Sequence, residues 1–171
     1  MALLPNERQK EIDHVVQDIK LRTGITFPEG NIVELVKALG IKVYEVDLSA
    51  YPNVKGAVQY QNKAGKIEPI IYINKNISPY GKTFTLAHEL GHYLLHKGED
   101  KLRIDEYDYS QNTKESLQES EANYFAASLL VPKEKLLKVL AVTDKIDTIA
   151  NYFGVSKPVV ETRIQWIKKN R

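Results

Sequence analysis

The five residues His88-Glu89-Leu90-Gly91-His92 constrain this chain more than any other stretch of it. A spacing of four is the helical repeat, so the two imidazoles share one face, one turn apart, only if this stretch is helical. Both rings can then reach a single ion, and Glu89 lies on the flank, where it could hold a water bound to that ion. The surroundings favour a helix. Ser78-Pro79 is a hydroxyl cap followed by proline in the first turn, and the predicted helix runs to about His96 with Gly98 just beyond. An apolar strand, Ile70-Ile71-Tyr72-Ile73, precedes it. Such a histidine pair also occurs as a polar stripe on a surface helix; a capped helix placed after a buried strand is the context of the metal motif.

The chain contains no cysteine, which excludes disulfide scaffolds, thiol catalysis and thiolate metal ligands. Neutral imidazole suits Zn²⁺, which in catalytic sites takes three protein ligands and leaves a position for water. The expectation is one such ion. It lowers the pKa of that water to about 7, and a carboxylate base, Glu89, then makes it a nucleophile.

A third ligand is needed. One version of the motif adds a glycine and a third histidine three and six residues after the second histidine, but Leu95 and Gly98 stand there. A later helix, predicted over residues 114–130, offers Glu115, Glu119 and Glu121. At 100° per residue its apolar side chains Ala122, Phe125, Ala126, Leu129 and Leu130 cluster in one direction. Glu119 points roughly 50° from that cluster and Glu121 more than about 100° away. A carboxylate on the edge of a buried face is costly unless paired or metal-bound, which selects Glu119. Glu115, in the first turn, is explained by the helix dipole. Ser116-Leu117-Gln118-Glu119 also fits a capping box, a purely structural use of Glu119. Asn123, one turn on, could orient a ligand histidine or Glu119, or simply be solvated. His96 continues the stripe, but eight helical residues span about 12 Å, too far for it to share an ion with His88. It either faces the substrate groove or ends the helix.

The remaining pattern is that of a globular protein of 171 residues with 43% hydrophobic and 27% charged residues. A formal charge of +2 gives no case for general nucleic-acid or membrane binding. No stretch approaches the roughly 18 apolar residues of a membrane span. The apolar start Ala2-Leu3-Leu4 is too short for a secretory signal, so the expected compartment is the cytoplasm. Helices are predicted after Pro5 and after Asn31, then three strands: residues 41–46, 56–60 and 67–74, the last two joined by a hairpin loop over 62–66. Residues 99–111 have no helical period and are expected to form a mobile surface loop. Further helices follow, the last two joined by a tight bend at Gly154-Val155-Ser156. The expected fold class is α+β, a small three-stranded mixed sheet packed with several helices around the HExxH helix. Residues 1–140 form the zincin-like domain and 141–171 a helix-turn-helix-like appendage packed on it. The strand beginning Gly56, Ala57, Val58 is the expected edge on which an extended substrate would lie.

The paired motifs, residues 83–92 with their HExxH and Glu119-Ser120-Glu121-Ala122-Asn123-Tyr124-Phe125-Ala126-Ala127-Ser128-Leu129-Leu130-Val131-Pro132, resemble the ImmA/IrrE metallopeptidases. The resemblance spans about residues 30–165. It implies that His88, His92 and Glu119 bind zinc and that Glu89 is the catalytic base. Glu119 with Asn123 is similar to the E-x-x-x-D element of the wider glutamate-zincins, with asparagine replacing aspartate. It further implies a bacterial or phage-borne cytoplasmic protease that cuts a helix-turn-helix repressor encoded beside it, in a mobile-element or stress response. Two other functions remain open. One is a regulatory protein that binds DNA through the C-terminal helices, with Arg163, Lys168, Lys169 and Arg171 nearby. The other is a toxin-like partner held inactive by its regulator.

Overall fold

A computed structural model describes residues 4–97, 101–102 and 114–169. The protein is α+β. Helix α1 (Asn6–Thr23) starts after Pro5 and ends at Gly24, whose φ of 70° makes the left-handed cap. Its buried side, Ile12, Val16 and Ile19, is the one set by the apolar spacing. In α2 (Ile32–Ala38) the Asn31 side chain caps the start by accepting from the backbone N–H groups of Val33 and Glu34.

Three long strands follow: β1 (Lys42–Val46), β2 (Gly56–Lys63) and β3 (Lys66–Asn74). The β2–β3 turn is the two-residue loop Ala64-Gly65, both with positive φ, the geometry whose twist matches antiparallel strands. β1 pairs with β3 in parallel and β2 pairs with it antiparallel, so the sheet is mixed and β3 is interior. That position explains the burial of Ile70, Ile71 and Ile73. A two-residue strand, β4 (Lys101–Leu102), joins β2 on its other side and makes the order β1-β3-β2-β4. It falls in the stretch expected to be a surface loop, and the rest of that loop lies outside the described residues. The expected exposed edge is corrected here. At Ala57 and Val58 the outer side of β2 is taken by Leu102 and Lys101, so backbone groups there are already paired.

Helix α3 (Pro79–Leu95) lies across β2 and β3, α4 (Lys114–Leu130) packs on α3, and α1 and α7 (Lys157–Lys169) pack on α4. Between them come α5 (Lys133–Leu140) after Pro132, and α6 (Ile146–Phe153). One apolar core runs from the sheet through Leu90 and Phe125 to Phe153, Val160 and Trp166. No helix among the described residues is long and apolar enough to cross a membrane.

Candidate metal centre

The start of α3 is built as its sequence dictates: Ser78 Oγ accepts from the Gly81 N–H at 3.1 Å, with Pro79 in the first turn. The helix is well under way by residue 88, and its buried side carries Glu89 and His92, 2% and 1% exposed. Two glycines let other backbone come close to this side. A Cβ on Gly91 would stand 2.9 Å from Phe125 Cδ1 and 3.3 Å from Ala122 Cα, so α3 and α4 cross at a distance that only glycine permits. A Cβ on Gly56 would meet Thr85 Cγ2 at 2.7 Å and Glu89 Cγ at 3.2 Å. The close approach that glycine suggests at the start of β2 is thus made by Glu89's own helix.

The tight crossing brings Glu119 from α4 to the histidines. His88 Nε2 is 3.1 Å from Glu119 Oε2, His92 Nε2 is 3.3 Å from Oε1, and the two Nε2 atoms are 2.9 Å apart. The three donor atoms lie within 4.8 Å of one another. Glu119 is buried inside a helix that already includes residue 116, since Ser120 Oγ donates to the Ser116 carbonyl. Ser116 is therefore not a helix cap, and the capping-box use of Glu119 is ruled out. Side-chain geometry at Glu115 lies outside the described residues.

Each imidazole is held from behind. His88 Nδ1 lies 2.8 Å from Asn123 Oδ1, and with the amide oxygen as acceptor the ring proton sits on Nδ1. His92 Nδ1 lies 2.8 Å from His96 Nδ1. His96 is buried rather than facing a groove, and its Nε2 is 2.7 Å from Glu121 Oε2. Glu121 in turn accepts from Arg8 Nε and Nη2 on α1, at 2.8 and 3.0 Å. Burial pushes the Glu121 carboxyl up, but the hydrogen bonds from His96 and Arg8 outweigh it and hold it at about 2. The joint role of His96, Glu121 and Arg8 escaped sequence reasoning because helical projection scores one helix at a time. Glu121 does point away from the ion site, as its angle implies, yet it turns into a second buried interface, with α1.

These residues fit a divalent cation. With both Nδ1 positions engaged, two imidazole lone pairs and a carboxylate face one another across about 3 Å, an arrangement that repels itself unless a positive charge lies between. Two nitrogens and one carboxylate oxygen are also the donor types of catalytic zinc sites.

The C-terminal helices present a different picture. Arg163, a residue offered above for DNA contact, is 5% exposed. Its Nε donates to the Val131 carbonyl at 3.1 Å and its guanidinium lies 5.5 Å from the Tyr124 ring centre. It faces the core because α7 packs on α4 through Tyr124 and Trp166, whose rings are 5.0 Å apart. Arg171 lies outside the described residues.

Comparison with known proteins places the chain among peptidases. The family model described as the IrrE N-terminal-like domain of peptidases matches residues 36–165. "Metallopeptidase ImmA" of Bacillus subtilis (strain 168) is 28% identical over 160 residues, covering 92% of this chain and 86% of that protein. "Radiation response metalloprotease IrrE" of Deinococcus deserti is 42% identical over 66 residues, 38% of this chain and 23% of that protein. Among solved structures, a chain described as "Mycobacterium tuberculosis transcriptional regulator" superimposes with a TM-score of 0.53 at 17% identity, covering 91% of this chain and 46% of that one. At that identity the likeness is one of fold.

Proposed function

Since this chain belongs to the IrrE N-terminal-like domain family of peptidases and is a metallopeptidase, we propose that it works with one zinc ion on His88, His92 and Glu119 and cleaves a helix-turn-helix transcriptional repressor. The observation that carries the zinc assignment is the convergence of two imidazole nitrogens and one carboxylate from two helices. The resemblance to the ImmA/IrrE metallopeptidases supports the substrate class. Cleavage would relieve repression in a mobile-element or stress response, and the protein would act in the cytoplasm, where such repressors are found.

Bound zinc supplies a Lewis acid that polarises the scissile carbonyl and brings the pKa of water to about 7. The chain's own residues do the rest. Asn123 orients His88 through its Nδ1–H. Glu89, on the same helix as both imidazoles and packed against the start of β2, takes the proton from the attacking water and returns it to the leaving amine. The burial of Glu89, His92 and Glu119 raises the worth of their interactions by lowering the local dielectric.

Glu89→Gln tests this directly. The variant keeps its shape, so zinc content stays near one per chain, while cleavage of a co-expressed helix-turn-helix regulator from the neighbouring gene falls by about 10³-fold. Undiminished cleavage by the variant, measured as the rate of fragment appearance, would falsify the role of Glu89.

A further inference from the structure

The hydrogen bonds behind His88 stop at Asn123, whereas those behind His92 continue through His96 and Glu121 to Arg8 on the N-terminal helix. Their polarity can be worked out from the far end. Arg8 is donor-only and always charged, and it presents two N–H groups to the two Glu121 oxygens. Glu121 is therefore an ionised acceptor, and the proton in its bond to His96 sits on His96 Nε2. If His96 carries its one ring proton on that Nε2, its lone pair is on Nδ1 and the proton between the two rings sits on His92 Nδ1. That leaves the His92 lone pair on Nε2, the atom facing His88 Nε2 and Glu119.

We infer that Arg8, Glu121 and His96 are a positioning line that fixes the tautomer and ring orientation of His92, so that α1 is a working part of the metal centre. The inference rests on the metal-site assignment proposed above. Helix α1 lies wholly before the residues that the family model matches, 36–165, so the domain's own motif does not contain the end of this line. The line is also long-range in sequence: Arg8 and Glu121 are 113 residues apart. A contact that merely packed α1 onto α4 would be met by the apolar residues between them. A bidentate guanidinium on a carboxylate that in turn touches a ring adjacent to the site adds direction, the property a metal ligand needs.

Three measurements test it. In the metal-free wild-type protein, long-range ¹H–¹⁵N correlation of the imidazoles should show His92 protonated on Nδ1 and His96 on Nε2. Zinc affinity, measured by competition with a chelating dye, should fall roughly 10- to 100-fold in His96→Phe. Much of it should return in His96→Gln, whose amide oxygen can again accept from His92 Nδ1–H. Arg8→Ala should lower zinc affinity by several-fold; because Arg8 is partly exposed, this variant also serves if His96→Phe does not fold. His92 protonated on Nε2 in the metal-free protein, or zinc affinity unchanged in His96→Phe or Arg8→Ala, would overturn the line. A wild-type chain that binds no zinc overturns the metal assignment instead, and the tautomers alone then decide whether the line operates.

Discussion

Two helix pairs in this protein carry sequence signatures of function, and they are built in opposite ways. The α3–α4 pair buries Glu89, His92, His96, Glu119 and Glu121, polar groups whose removal from water costs several kcal/mol unless they pair or bind an ion. Between α6 and α7 the buried residues are Ile149, Ala150, Phe153, Val155 and Val160, with Arg163 turned inward onto a carbonyl and a ring. The first pair would fold more simply without its polar residues. The second would not hold together without its apolar ones. A helix pair that keeps costly groups at its interface is organised around what those groups do, and a pair that buries aliphatic side chains is organised around stability.

Exchanging Glu119 for glutamine breaks this contrast most strongly. Loss of one of three ligands should reduce zinc affinity by more than about 100-fold, beyond the effect expected for any supporting residue. Without metal, the same change removes a negative charge facing two lone pairs, so the metal-free variant should melt at the same temperature as wild type or higher. A calorimetric comparison of the two metal-free proteins checks this. A clear fall in the melting temperature would mean that Glu119 is held for structure, as the residues of α6 and α7 are.

Glycine substitutions sharpen the comparison at the next level. Gly91→Ala forces a methyl group against Phe125 and Ala122, where neither has room to yield, and should cost about 1–2 kcal/mol. Because the strain falls on the crossing that delivers Glu119, zinc affinity should drop with it. Gly154→Ala between α6 and α7 meets nothing within 4 Å; its φ of 66° alone makes it unfavourable, by about 1 kcal/mol. Zinc affinity should be unchanged there. Denaturant unfolding and dye competition on both variants separate the two cases, and equal loss of zinc affinity would show that the pairs are not independent.

Much of this contrast was legible before the structure. The HExxH spacing, the Ser78 cap and the projection of Glu119 onto a buried edge are local, and local geometry is what helical periodicity encodes. Gly91 stood in plain view inside the motif, yet its meaning depends on the residues of α4 that lie opposite. Arg8, Glu121 and His96 depend on an interface between segments far apart in sequence, where no period connects them. The strand order failed to emerge for a related reason. A two-residue β4 is too short to have a pattern, and only its pairing with Ala57 and Val58 reveals that β2 is covered there.

The smallest effect is expected at Arg163, one of the four basic residues offered for DNA contact by the C-terminal helices. Arg163→Met keeps much of the side chain's length and apolar contact while removing the bond to the Val131 carbonyl and the charge over the Tyr124 ring. Leaving that carbonyl without its donor should cost about 1 kcal/mol, near the low end for a buried polar group because methionine fills most of the space. Zinc affinity and cleavage should not change, since Arg163 lies on α7 and its contacts are the Val131 carbonyl and the Tyr124 ring rather than His88, His92 or Glu119. Retention of duplex DNA by the purified protein, compared at low and moderate salt, should also be the same for variant and wild type. Salt-sensitive retention by the wild type that is lost in Arg163→Met would require α7 to leave the core and expose this arginine. The C-terminal pair would then be a functional element like α3 and α4, and the contrast between the two would fail.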